Sequence, residues 1–322
     1  MEKNSKIYIA GHRGLVGSAI MRRLQAEGYS NLLTRTNAQL DLLDQQAVND
    51  FFEKEKPEYV FLAAAKVGGI GANSTYPADF IYQNTMIGFN VILSAYRNEI
   101  KKIINLGSSC IYLKMATQPM KEECLLSTNY LEPSNKAYAV AKISVLKLCT
   151  FYNQQYGTNF LSLMPTNLYG PGDNYDPEGS HVLLALIRKF HEAKISGNDR
   201  VTLWGDGSSH REFLYSDDLA EAIVMLMQNN NARNLSNPAV DFVNIGCGKD
   251  LTIKELAEVN RTIVYEDTTD RKCHIEWDTS KPNGTPQKLL DISRITALGF
   301  SPKTNLTEGI KLAYKDFVNN YS

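Results

Sequence analysis

The segment Gly11-His12-Arg13-Gly14-Leu15-Val16-Gly17 constrains this chain more than any other. It follows an apolar run over residues 6–10 and leads into an amphipathic stretch over 18–27. Glycines at this spacing let the backbone turn sharply and leave room for a pyrophosphate against amides at a helix N-terminus. A glycine trio alone fits many ordinary turns, but a strand before it and a helix after it are the context dinucleotide binding requires. The ribose end of such a site is read one strand later. After 31–34 comes Arg35-Thr36-Asn37, with no carboxylate, and Arg13 lies inside the loop. Basic groups there accept a 2′-phosphate, so the pattern predicts NADP(H), although Arg35 taken alone reads equally well as a surface residue.

The alternation continues along the chain. Strands are expected over 6–10, 31–34, 59–64, 102–107 and 159–164, and helices over 18–27, 47–56, 80–98 and 137–156. Such repetition predicts an α/β fold, a Rossmann-type doubly wound parallel sheet covered on both faces. Past Pro165 the texture shifts to segments rich in Gly, Pro, Asn and Asp, over 169–180, 205–209 and 281–285. Residues 229–234 read as a loop, and 242–246 are expected to return a strand to the large sheet. The cofactor-binding domain is therefore placed at 1–170 with 214–248. A smaller, discontinuous substrate domain takes 171–213 and 249–322.

Charge excludes some functions. The 34 basic and 35 acidic residues nearly cancel, so no global field favours nucleic acid or an anionic membrane, and any phosphate must be held locally. Apolar runs are much shorter than the ~20 residues of a membrane span. The cysteines Cys110, Cys124, Cys149, Cys247 and Cys273 form no C-x-x-C pair, and the histidines form no ligand cluster. No metal is assigned, and a reducing, cytoplasmic setting is expected.

Tyr138 and Lys142 stand four apart on an expected helix and so share one face. A nearby ammonium favours a phenolate and brings a tyrosine toward acid–base chemistry, and the lysine can also hold a ribose. The pair occurs often by chance among 17 tyrosines. It gains force from Gly107-Ser108-Ser109-Cys110-Ile111-Tyr112, directly after a strand, because carboxyl ends of parallel strands line the ligand crevice. Ser108 there can hydrogen-bond a carbonyl beside Tyr138. Cys110, two residues further, shares its pleat face if the strand continues.

In order and spacing, the glycine loop, the serine-rich strand end and the Tyr–Lys helix resemble the extended short-chain dehydrogenase/reductase superfamily. Longer blocks are more specific. Ala10-Gly11-His12-Arg13-Gly14, Ala63-Ala64-Ala65-Lys66-Val67-Gly68-Gly69-Ile70 and Tyr76-Pro77-Ala78-Asp79-Phe80-Ile81-Tyr82-Gln83-Asn84 resemble the GDP-L-fucose synthase family. So do the Gly107–Tyr112 block, Met164-Pro165-Thr166-Asn167-Leu168-Tyr169-Gly170-Pro171, Ser180-His181-Val182 and Arg211-Glu212-Phe213-Leu214. The likeness runs through nearly the whole chain and is weakest over 229–276.

The resemblance implies conversion of GDP-4-keto-6-deoxy-D-mannose to GDP-L-fucose: epimerisation at C3 and C5, then reduction of C4 with NADPH. One ketone acidifies both protons, so Ser108 and Tyr138 can serve the enolate and later the alkoxide. The resemblance makes Ser108, Tyr138 and Lys142 the reductive set, with Cys110 and His181 as the base and acid of epimerisation; alone, each of the last two reads as a small buried cysteine or a loop histidine. It sets the cofactor against Gly11, Arg13, Gly14, Leu15, Val16, Gly17, Arg35, Asn37, Ala63, Ala64 and Ala65. Further along, the cofactor meets Leu106, Gly107, Tyr138, Lys142, Pro165, Asn167, Leu168 and His181. Substrate contacts are implied for Ser108, Ser109, Cys110, Asn167, Val182, Lys189, Trp204, Arg211 and Asn283, with Trp204 stacking on guanine and Arg211 pairing with diphosphate. A homodimer is implied too, joined through helices 80–98 and 137–156.

The chain departs from that pattern in places. Asn37 and Lys189 stand where arginines are usual, Asn283 replaces an aspartate, Gln287 an arginine, and Leu113 and Leu184 prolines. These changes bear on which sugar is taken. Two rivals follow: a C4-reductase of another GDP-4-keto sugar that does not epimerise, and a non-catalytic NADP(H)-sensing regulator, against which Tyr138 and Lys142 both argue.

Overall fold

The computed structural model describes residues 1–126, 130–176, 179–235, 241–268, 273–281 and 283–321. Six parallel strands form the main sheet in the spatial order Leu32–Leu33, Ile7–Ala10, Tyr59–Leu62, Lys102–Leu106, Phe160–Pro165 and Phe242–Ile245. Four of these are buried at every position, as strands covered on both faces must be. Period-two alternation divides their side chains between two cores. Ile7, Ile9, Phe61 and Ile104 pack with the helices Leu15–Ala26 and Ser216–Asn229. Tyr8, Ala10, Val60 and Ile103 pack on the opposite face with Phe52, Val91 and Val145.

The helices Pro77–Arg97 and Lys136–Tyr156 lie against one another on this second face. A β-carbon added at Gly88 would fall 2.3 Å from a methyl of Val145, so a glycine there sets how closely the two approach.

A second group of strands lies beyond Pro165. His210–Tyr215 pairs with Asn167–Tyr169 and Gln287–Lys288 in parallel and with Asp250–Thr252 in antiparallel fashion. Arg200–Trp204 and His274–Asp278 form a separate parallel ribbon. Their core holds Leu183, Ile187, Phe190, Phe213, Leu256 and Phe317. After Tyr215 the chain returns to the main sheet through Ser216–Asn229 and Phe242–Ile245.

Several boundaries differ from the sequence reading. The first helix begins at Leu15, inside the glycine motif, and the helix expected from residue 80 begins at Pro77, since proline suits a first turn that needs no N–H donor. The second strand shrinks to Leu32–Leu33 at the sheet edge. The region read as loop over 229–234 contains one helical turn, Ala232–Leu235. The strand before the serines ends at Leu106, and Ser109–Ile111 is a tight 3₁₀ turn. The pleat argument for Cys110 therefore does not hold: a turn brings it round, not a strand.

Candidate active site

Ala10, Leu62, Leu106 and Pro165 end neighbouring parallel strands, so the segments after them meet along one edge of the sheet. Gly11 adopts φ +84°, and a β-carbon there would sit 2.7 Å from the Ala64 amide nitrogen, which brings Ala63, Ala64 and Ala65 against the glycine loop. A β-carbon at Gly17 would fall 2.0 Å from the Gly11 carbonyl oxygen. Gly14 caps the Leu15–Ala26 helix without a side-chain bond, and no acidic residue stands in its first turn. The amides of Leu15, Val16 and Gly17 are thus open to an anion, and the loop has the shape and charge of a pyrophosphate cradle. A dinucleotide fits these residues.

At the ribose end the basic residues differ. Arg13 and Asn37 are exposed, and among the described residues Arg13 makes no ion pair. Arg35 instead donates to the Thr34 carbonyl and to Glu55 Oε1, both at 2.8 Å, with its guanidinium over Phe51. Arg35 is thus engaged by Glu55, whereas the exposed Arg13 is the basic side chain left open beside the glycine loop.

Lys142 Nζ donates to the Leu106 carbonyl at 2.9 Å and lies 5.6 Å from the Tyr138 ring centre. Burial draws this lysine down to about 8. Gly107 N–H donates to Leu163, and Met164 Sδ leaves no room for a β-carbon at Gly107, so the strand end is packed tightly. Tyr138 stands edge-on to Phe80, with ring centres 6.4 Å apart. Burial pushes its phenol well above the usual tyrosine range, a Cys110 thiolate adds to that, and a hydrogen bond from Ser108 opposes it. The expectation that Lys142 draws Tyr138 toward phenolate is not met by this geometry, because the ammonium is turned to Leu106. Burial thus outweighs the Ser108 hydrogen bond and disfavours the phenolate.

Ser108 is extended, and its Oγ accepts the Cys110 N–H at 3.3 Å. Cys110 Sγ in turn lies 3.8 Å from Lys288 Nζ. His181 stands exposed at the N-cap of the Val182–Ser196 helix; loss of water on its protein side, and then the Lys288 ammonium, hold its imidazole below the ordinary range. Ser108, Tyr138 and Cys110 therefore lie together, with Lys288 against Cys110 and near enough to His181 for its charge to act on the imidazole. The sequence reading missed Lys288. It lies 178 positions from Cys110 on a two-residue strand, and no spacing or motif pointed to it.

Of the residues expected to hold the nucleotide, Trp204 and Arg211 lie on the second group of strands, Lys189 on the Val182–Ser196 helix and Asn283 in a loop. Trp204 ends its strand 65% exposed, with Lys281 Nζ 5.5 Å above its ring. Lys189 donates to the Thr202 carbonyl at 2.9 Å and lines an open groove of about 610 Å³ with Glu192, Arg200 and Thr202. Arg211 Nη1 donates to the His210 carbonyl, and burial lowers its guanidinium's affinity for its proton. Asn283 is exposed and braces the 205–209 segment: Oδ1 accepts the Asp206 N–H at 2.9 Å, and its carbonyl accepts from Ser209. The Asn167 amide is spent on the Glu212 carbonyl at 2.8 Å. Ser109 is buried, Val182 is exposed in the first turn of its helix, and Leu168 lies within the strand after Pro165. Among the described residues no cluster could hold a metal ion, and no helix is long and apolar enough to cross a membrane.

A family described as the NAD dependent epimerase/dehydratase family matches residues 7–246, and the chain belongs to it. Within it, the chain is 51% identical over 319 residues to GDP-L-fucose synthase 1 of Arabidopsis thaliana, covering 99% of this chain and 95% of that one. It is 49% identical to the GDP-L-fucose synthase of Escherichia coli, covering 98% and 97%. Among solved structures it is similar to MlghC, a GDP-mannoheptose C4 reductase from Campylobacter jejuni with NADP bound. That likeness has a TM-score of 0.90, 42% identity and 99% coverage of both chains.

Proposed function

We propose that the protein converts GDP-4-keto-6-deoxy-D-mannose to GDP-L-fucose, epimerising C3 and C5 and then reducing C4, with NADP(H) as cofactor. The placement of Cys110 with the Ser108–Tyr138 pair, and of Lys288 against Cys110 with its charge acting on His181, carries this reading. Epimerisation beside a C4 ketone needs a base and an acid, and Cys110 and His181 are the groups the chain offers for them. About half-identity to GDP-L-fucose synthases over nearly the full chain supports it.

The chain's own groups divide the work. Cys110, as thiolate, takes a proton from carbon next to the C4 ketone, and His181 returns one from the other side. Ser108 and Tyr138 hold the ketone oxygen as it gains charge in the enolate. Lys288 supplies positive charge beside both proton-transfer groups. NADPH, when bound, supplies the hydride that reduces C4. Tyr138 then gives its proton to the alkoxide, and Lys142 lies next to it to hold the ribose and restore charge balance. Trp204, Lys189 and Arg211 take the GDP portion. In this reading 1–170 with 214–248 bind the cofactor, and 171–213 with 249–322 the GDP-sugar. The protein acts as a homodimer through its two long helices. Its five cysteines are free thiols, which suits the cytoplasm.

A second reading, C4 reduction of another GDP-4-keto sugar without epimerisation, is favoured by the likeness to the heptose reductase. Turnover of each GDP-4-keto sugar with NADPH in heavy water separates the two. Deuterium at both C3 and C5 is expected; a reduced product labelled at neither carbon leaves the second reading. Binding of NADPH with no affinity for any GDP-sugar would remove both.

A further inference from the structure

The backbone that carries Lys288 is held by more than its strand pairing. The Gln118 amide accepts the Leu289 N–H at 2.9 Å and donates to the Gln287 carbonyl at 3.2 Å, so it bonds the chain on either side of Lys288. The same nitrogen donates to Ala116 at 3.1 Å, which fixes the side chain's direction. Nearby, Met120 N–H donates to the Leu289 carbonyl at 2.8 Å and Asp291 N–H to the Met120 carbonyl at 2.9 Å. From the opposite side Leu290 N–H reaches the fully buried Glu212 carboxylate at 3.0 Å, and Lys288 lies in register with Arg211.

Lysine ends a flexible four-carbon stem, and on a loose backbone its ammonium would wander over several ångströms. Here the anchor of that stem is tied to the same stretch of chain that leaves the Cys110 turn. We propose that Gln118 is a positioning residue for epimerisation, clamping the backbone on both sides of Lys288 so that its ammonium stays against Cys110. It touches no reacting atom and acts through Lys288. The inference rests on the epimerase reading above.

Three variants test it in the NADPH-loaded enzyme. Gln118→Leu removes all three bonds of the amide, Gln118→Glu keeps only the acceptor for Leu289, and Lys288→Met removes the ammonium itself. In heavy water, deuterium entering C3 and C5 per NADPH oxidised falls about tenfold or more in Gln118→Leu, the scale of a small misplacement, and less in Gln118→Glu. The double variant Gln118→Leu/Lys288→Met loses no more than Lys288→Met alone, since nothing remains to be positioned. Additive losses, an equal fall in exchange and in NADPH oxidation, or undiminished exchange in Gln118→Leu each overturn the proposal. If Gln118→Leu does not fold, Gln118→Glu combined with Lys288→Met gives the same decision. Wild-type enzyme that reduces without exchange removes the epimerase reading, and this inference with it; wild-type exchange with an unaffected Gln118 variant sinks only the inference.

Discussion

Tyr138 shows how burial assigns a role to a residue. Its phenol lies in a half-buried position, and desolvation penalises the charged form more than the Ser108 hydrogen bond favours it. A tyrosine in that state is an acid, and its proton has one use once C4 carries an alkoxide. Tyr138→Phe keeps the ring, its edge-on contact with Phe80 and the space it fills, and removes only the proton. The expected result is a drop in NADPH oxidation of roughly 10²- to 10⁴-fold, the usual worth of a positioned general acid, with NADPH binding retained. Absorbance of NADPH followed over time and a binding titration decide it. Turnover close to wild type would take Tyr138 out of the chemistry.

At the scale of elements, Lys102 joins two of them. Its buried Nζ donates to the carbonyls of Leu226 and Met227 at 2.6 and 2.8 Å and to that of Asn230, closing the C-terminal end of the Ser216–Asn229 helix from the start of a central strand. Lys102→Met keeps the bulk and leaves those acceptors unpaired, at a cost of about 2 kcal/mol. Burial lowers Lys102 from the ordinary value to about 8. Between that value and the unfolded lysine's ~10.4 the unfolded chain binds more protons than the native one, so this group's contribution rises with pH. The deficit of Lys102→Met, read by urea unfolding, should therefore be larger at pH 10 than at pH 7. A deficit that shrinks with pH would show that the amine is not desolvated as described. This lysine was invisible in the sequence, where it simply opened an expected strand. What the sequence did display were features that act locally: the glycines that turn one strand into one helix, and apolar runs buried on both faces. Tyr138 and Lys142 were legible because four residues make one helical turn. Cys110 was placed correctly beside Ser108 but through a strand that in fact ends at Leu106. Lys288 and Gln118 were not legible, because each makes its contact across distant segments that no period encodes.

For the whole molecule the question is what covers the outer sides of the two long helices. Pro77–Arg97 and Lys136–Tyr156 pack against the sheet and each other, yet Tyr82 is 61% and Phe151 57% exposed. Large aromatics left in water on neighbouring helices cost solvation energy that association recovers, and such faces mark interfaces more often than chance. The occupant that fits best is a second copy, since a two-fold axis sets the same pair of helices against itself and buries both sets of aromatics at once. Light scattering should then give twice the chain's mass at micromolar concentration. Phe151→Glu places a charge where the dimer would exclude water. A central aromatic is worth about 2 kcal/mol or more at an interface, so the variant's dimer should weaken roughly thirtyfold. The monomer so produced keeps the glycine loop and the Ser108–Tyr138 pair intact, because neither is built from the partner, and NADPH binding should persist. A wild-type protein that scatters as a monomer throughout this range would leave those aromatics unexplained and end the dimer proposal.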